Sequence, residues 1–143
     1  MVTEGREVVL TVASDPKNMR IVRALVALAA EVAGFPKQDG KCACLAVDEA
    51  CTNIIRHAYG GDPAKRIEVR LGIHADRLDV TLRDWGRTVD PATIRPRDLA
   101  DVRPGGLGVH FIREIMDAVA YEPTHGVGTV LRMTKRLPPK TAE

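Results

Sequence analysis

Aromatic residues are scarce in this chain: two Phe, two Tyr and one Trp among 143 positions. Proteins that bind single-stranded nucleic acid stack bases on exposed rings, and so few rings make no such platform. A pocket for a flat heterocycle would need aliphatic walls and hydrogen bonds instead. Charge of one sign is also missing, since 21 Lys and Arg face 19 Asp and Glu for a net +2. That balance lacks the concentrated basic surface of a nucleic-acid partner. No apolar run reaches the ~20 residues that a membrane span needs, and residues 1–7 lack the apolar stretch of a signal peptide. Cytoplasmic residence, without direct contact to nucleic acid or membrane, is the expectation. The three cysteines, Cys42, Cys44 and Cys51, are an odd number at spacings that suit neither a disulfide framework nor a zinc site. They read as reduced, buried small apolar groups.

What is present is ordinary globular composition, 45% apolar and 28% charged, in a length that suits one core. One domain over residues 6–137 is expected, with 1–5 and 138–143 as flexible termini. Glu7–Ala13 is rich in β-branched residues and reads as a strand. Asp15-Pro16 then supplies an N-cap and a residue preset for the first helical position. Ile21, Val22, Leu25, Leu28, Ala29 and Val32 follow at helical spacing, with Gly34 as the stop and Lys17, Arg20 and Arg23 off the stripe. A second helix is expected from Gln38 to Tyr59, burying Cys44, Val47, Cys51 and Ile54. Arg66–Leu71 and Arg77–Leu82 alternate as half-buried strands around a hairpin. Gly86 to Pro104 has no period and holds Pro91, Pro96 and Pro104, the mark of a functional loop. A third helix over Gly108–Ala118 and a closing hairpin, Ala118–Tyr121 with Val127–Thr134, complete the chain. The fold class is α+β: a two-layer sandwich of a mixed, mostly antiparallel sheet with helices on one face.

Four clusters carry chemistry. Glu49 and Asn53 stand i and i+4 on the second helix, a carboxylate and a carboxamide one turn apart, with His57 a further turn on. Asp84-Trp85-Gly86 follows a strand. Gly105-Gly106-Leu107-Gly108 opens a helix, where free N–H groups and the helix dipole attract phosphate. It is not a P-loop, because no Gly-Lys-Ser/Thr follows, and its glycine spacing is not that of a dinucleotide fingerprint. Gly128-Thr129 opens the last strand.

In this order and at these intervals the clusters resemble the nucleotide-binding boxes of the GHKL ATPase and kinase superfamily. Within it the chain is most similar to the anti-sigma-factor serine kinases of bacteria. Val89-Asp90-Pro91 after Gly86, and the helix Val109–Asp117 ending in Met-Asp, extend the likeness over nearly the whole chain. The resemblance implies ATP and Mg²⁺ as cofactors, Asn53 as the magnesium ligand and Glu49 as general base. Asp84 would accept from the adenine amine, Gly86 would let the backbone approach the base, and Thr129 would join Asp84 beneath it. Gly105, Gly106, Leu107 and Gly108 would hold the phosphates, with Arg103 a candidate for the terminal one. It further implies a sigma factor and an anti-anti-sigma (STAS-type) protein as partners, a homodimer, and by weaker analogy a partner contact at Arg20 and Arg23. Two other readings compete: an ATP-binding module that sequesters or activates a partner without phosphorylating it, and the ATP-binding half of a sensor histidine kinase. The last lacks a helix bearing a phosphoacceptor histidine.

Overall fold

The computed structural model describes residues 5–88, 108–124 and 126–139. Val89-Asp90-Pro91, Arg103, Gly105, Gly106 and Leu107 therefore lie outside the described residues. The described residues include five strands, β1 (Arg6–Ala13), β2 (Arg66–Ile73), β3 (Arg77–Asp84), β4 (Ala118–Pro123) and β5 (Thr129–Arg136), of which β3 alternates throughout between buried and less buried side chains. They form one sheet in the order β1-β2-β3-β5-β4, and each of the four pairings is antiparallel. Ile67, Val69, Leu71, Leu78, Val80, Leu82, Leu131 and Met133 are buried on one face. The alternate residues carry Arg70, Arg132, Glu68 and Glu122 to the other. An antiparallel sheet with one solvated face needs such alternation.

Among the described residues, three helices supply the second layer: α1 (Met19–Ala33), α2 (Lys37–Asn53) and α3 (Gly108–Ile115). Asp15 accepts from the Lys17 N–H at 2.9 Å, Pro16–Asn18 makes one 3₁₀ turn, and α1 begins at Met19. Gly34 ends α1 in the left-handed region, φ 92°, with its N–H turned back to the Glu31 carbonyl at 3.0 Å.

The expected apolar stripe of α1 needs correction. Met19, Val22, Val26, Ala29 and Ala30 are buried, whereas Ile21, Leu28 and Val32 are 55%, 58% and 50% exposed. The helix carries two apolar stripes, and packing selects the one with smaller side chains. A Cβ added at Gly40 of α2 would lie only 3.5 Å from that of Ala30, so the two backbones approach closely. Arg23 crosses between these helices to Asp48 at 2.7 Å.

The second helix also departs from expectation. Regular α-helix stops at Asn53, and Ile54–Ala58 form a wider, π-helical turn. Tyr59 N–H donates to the Ile54 carbonyl at 3.0 Å, an i to i+5 bond. Cys51 is fully buried and its thiol is pushed up to about 12, by burial and then by Asp48. Cys42 and Cys44 are half-buried, and all three cysteines are free thiols.

Candidate nucleotide site

The C-terminal half of α2 carries one wall of a cleft. Asn53 is 8% exposed, yet both polar atoms of its carboxamide are buried without a hydrogen-bond partner among the described residues, as is Oε2 of Glu49. Leaving one buried polar group unpaired costs about 1–3 kcal/mol. Buried amides are nearly always satisfied, so an orphan marks a place where a ligand, ion or water completes the bonding. Glu49 itself is half-buried, and its carboxyl is held above the ordinary range. Burial is the main cause, the neighbouring Asp48 carboxylate adds to it, and Arg56 opposes both.

The facing wall starts at Asp84, the last residue of β3 and 4% exposed. Its Oδ1 accepts from the Gly86 N–H at 3.0 Å. Burial raises this carboxyl, while the Gly86 N–H, Arg83 and the Thr129 N–H pull the other way. Thr129 faces Asp84 directly in the β3–β5 register. Behind it Gly128 has φ 104°, and a Cβ there would come within 2.0 Å of the Asp84 carbonyl oxygen. Only glycine allows β5 to begin this close to Asp84.

Between these walls lies an open cleft. Ala50, Asn53, Ile54, His57 and Ala58 line it from α2 and the π turn, Asp84 and Arg87 from the end of β3, and Tyr121, Thr129 and Leu131 from the closing hairpin. Of the residues singled out in the sequence, Asn53, Asp84, Thr129 and His57 thus share one cavity. Glu49 does not line it but stands one helical turn before Asn53. Gly108 is the first residue of α3. Arg23 is engaged with Asp48, and Arg20 is exposed on α1 and is not part of the cleft.

Gly86 is buried, but the space its missing Cβ leaves is taken by the end of the helix. An added Cβ would lie 2.4 Å from the Ala58 carbonyl oxygen and 2.8 Å from Cδ1 of Tyr59. Arg87 continues the contact, its backbone N–H donating to the Ala58 carbonyl at 2.8 Å and its guanidinium to the His57 carbonyl at 3.0 Å. Sequence reasoning missed Tyr121 and Arg87 as lining residues. The expectation of purely aliphatic walls is corrected by the Tyr121 ring. Its signal was parity: Tyr121 pairs with buried Leu131, so it points to the helix side.

Among the described residues no group of three or more His, Cys, Asp or Glu could cage a metal ion. A hard cation that keeps its waters and leans on substrate phosphates needs only one or two protein oxygens. The unpartnered Asn53 Oδ1 fits that demand. No described helix is long and apolar enough to cross a membrane.

Among the described residues a single sheet lies under three helices, with this cleft between α2 and the strand ends. The family model described as a histidine kinase-like ATPase domain matches residues 12–135. The serine-protein kinase RsbW of Bacillus velezensis is 31% identical over 137 residues, covering 90% of this chain and 84% of that protein. The serine-protein kinase RsbW of Listeria monocytogenes is 32% identical, covering 100% of this chain and 95% of its own length. The crystal structure of the RsbU and RsbW domains of a Mycobacterium tuberculosis protein superposes with a TM-score of 0.64 at 18% identity, covering 92% of this chain and 32% of the other. The histidine kinase domain of a blue-light activated kinase from Erythrobacter litoralis gives 0.55 at 16% identity, covering 88% and 62%. At such identities the two structures speak to fold alone. The chain belongs to the RsbW family of serine-protein kinases, within the histidine kinase-like ATPases.

Proposed function

We propose that this protein binds Mg·ATP in the cleft between α2 and the ends of β3 and β5 and transfers the terminal phosphoryl group to a serine of an anti-anti-sigma protein of STAS type. It also binds a sigma factor, and works as a homodimer. The observation that carries the reading is the orphaned carboxamide of Asn53, aimed into a cavity whose opposite wall is the buried carboxylate of Asp84.

Asp84 accepts a hydrogen bond from the exocyclic amine of adenine, a group that guanine lacks at that position. Its own hydrogen bond from the Gly86 N–H fixes the carboxylate plane before the base arrives. Thr129, opposite it in the sheet, supplies a hydroxyl on the same floor. Asn53 would hold the magnesium ion through Oδ1. When bound, that ion supplies neutralisation of charge on the phosphate oxygens. Gly105, Gly106, Leu107 and Gly108, in sequence just before and at the first residue of α3, would hold the phosphates. Glu49, half-buried and one turn from Asn53, takes the proton from the incoming serine hydroxyl. Its raised carboxyl is a better proton acceptor than an exposed glutamate, as general-base catalysis requires. Residues 6–137 are proposed as the kinase domain.

The test is transfer of label from the terminal phosphate of Mg·ATP to a candidate antagonist from the same genome. Wild type transfers; Glu49→Ala binds ATP and does not transfer; Asn53→Ala loses both. Undiminished transfer by Glu49→Ala removes it as the base. ATP bound by wild type with no transfer to any candidate leaves a module that only sequesters its partner.

A further inference from the structure

Tyr59 stands at the end of the π turn, is buried, and lies outside the lining of the cleft. Its hydroxyl accepts from the Trp85 N–H at 2.8 Å and donates to the Arg66 carbonyl in a short hydrogen bond. The sheet explains why these two partners matter. The last pair between β2 and β3 is Ile67 with Asp84, so the next rung of the ladder would set Arg66 opposite Trp85. That rung would join a Trp85 N–H to an Arg66 carbonyl, since antiparallel pairs exchange these groups. The phenol hydroxyl stands between them, using its one donor on the carbonyl and a lone pair on the N–H. The ladder therefore stops one rung short, at Ile67 with Asp84, and the chain leaves the sheet at Asp84.

The consequence passes to the carboxylate through covalent neighbours. Held by the hydroxyl, Trp85 turns Gly86 against the Ala58 carbonyl and Arg87 N–H onto that same oxygen at 2.8 Å. In this position the Gly86 N–H reaches back to Asp84 Oδ1 at 3.0 Å. On the outer face the Arg66 guanidinium lies 3.9 Å from the centre of the Trp85 ring, so the indole is gripped from the other side. We infer that Tyr59 is a positioning residue for adenine recognition: its hydroxyl, inserted where the next β2–β3 rung would form, sets the direction of the Asp84 carboxylate.

This rests on the proposed adenine role of Asp84. The experiment measures equilibrium dissociation constants for Mg·ATP and Mg·GTP, with kcat and KM for ATP, in wild type and Tyr59→Phe. Phenylalanine keeps the ring in its packed site and removes only the oxygen. Loss of the hydroxyl lets Trp85 and Arg66 close on each other or take up water, and Asp84 loses its fixed donor from Gly86. ATP affinity then falls about ten-fold, the size of one well-placed hydrogen bond. GTP binding, which does not use Asp84 as an acceptor, stays within two-fold or so. The ratio of ATP to GTP affinity therefore drops about ten-fold, and KM rises while kcat at saturating ATP is kept, as for a loss of uniform binding. An unchanged ratio overturns the inference, whether both affinities fall together through general destabilisation or neither moves. Wild type that fails to prefer ATP over GTP is a different failure, that of the adenine reading itself.

Discussion

Asn53 carries the clearest conflict between stability and function in the molecule. A buried carboxamide with no partner on either atom among the described residues is costly, and leucine has nearly the same shape without the polar atoms. Asn53→Leu is expected to stabilise the ligand-free protein by about 1 kcal/mol, seen as a higher urea midpoint at unchanged slope, while abolishing Mg·ATP binding. A lower midpoint would mean that the amide is satisfied in solution. Glu49 gives a pH prediction. Its carboxyl is raised chiefly by burial, so the ionised base appears at higher pH than for an exposed glutamate. Phosphoryl transfer at saturating ATP should rise with pH across that displaced titration, and Glu49→Gln should remove the rise together with at least ~10²-fold of kcat. The stability effect runs the other way. A carboxyl whose folded pKa exceeds its unfolded value contributes stability below the unfolded value, and this is lost as pH rises through the folded one. Glu49 and Asp84 both have this sign, so the ligand-free protein should weaken as pH climbs out of the acid range. Asp84→Asn should flatten that decline in pH-dependent thermal melts; an unaltered decline would mean that Asp84 has an ordinary pKa.

Elements differ in how plainly the sequence announced them. The first strand was legible from its β-branched residues and the next two from alternation, and Arg66–Ile73 and Arg77–Asp84 extend their expected ranges by only two residues at one end. The end of α2 was not legible. Ile54-Ile55-Arg56-His57-Ala58 has nothing against regular helix in it, and the wider turn goes with bonds to Arg87 and Trp85, distant in the chain, and to Arg66 a few residues on. Such turns recur at functional sites, and here it brings His57 and Ala58 to the cleft. For α1 the period was right and the buried face only half so: Val22 and Ala29 are buried and Leu25 packs against the core, but Ile21, Leu28 and Val32 face outward, where the helix offers a second apolar stripe. Of the candidate site, Asn53 and Asp84 were readable from residue type and interval, whereas Tyr59 and Tyr121 depend on register. The two glycines with φ near 100° separate backbone conformation from crowding. Gly34 has open space around it and Gly128 does not. Gly34→Ala should cost about 1 kcal/mol through the left-handed conformation alone. Gly128→Ala should cost several times that, or prevent folding, because the added carbon meets the Asp84 backbone. Equal melting points for the two variants would contradict the close approach of β5 to β3.

At the scale of the whole molecule, the cleft joins the two layers, with Asn53 offered by the helices and Asp84, Thr129 and Tyr121 by the sheet. A ligand that satisfies both sides links the layers more strongly than either wall alone, and one that binds only the folded chain must raise its melting temperature. At a hundred-fold excess over the dissociation constant the gain is ~2.7 kcal/mol. For a chain of 143 residues that corresponds to a shift of roughly 6–10 °C. Mg·ATP should produce this shift in wild type, and Mg·GTP at equal concentration should produce much less, as the proposed adenine contact of Asp84 requires. Asn53→Leu should invert the order: higher melting than wild type without nucleotide, unmoved by Mg·ATP, and lower than wild type once nucleotide is in excess. The crossing is the informative result, since a substitution that merely damaged the fold would lie below wild type in both conditions. An Asn53→Leu protein whose melting point followed Mg·ATP as wild type does would place the magnesium and phosphates elsewhere, and with them the catalytic role proposed for Glu49 one turn away.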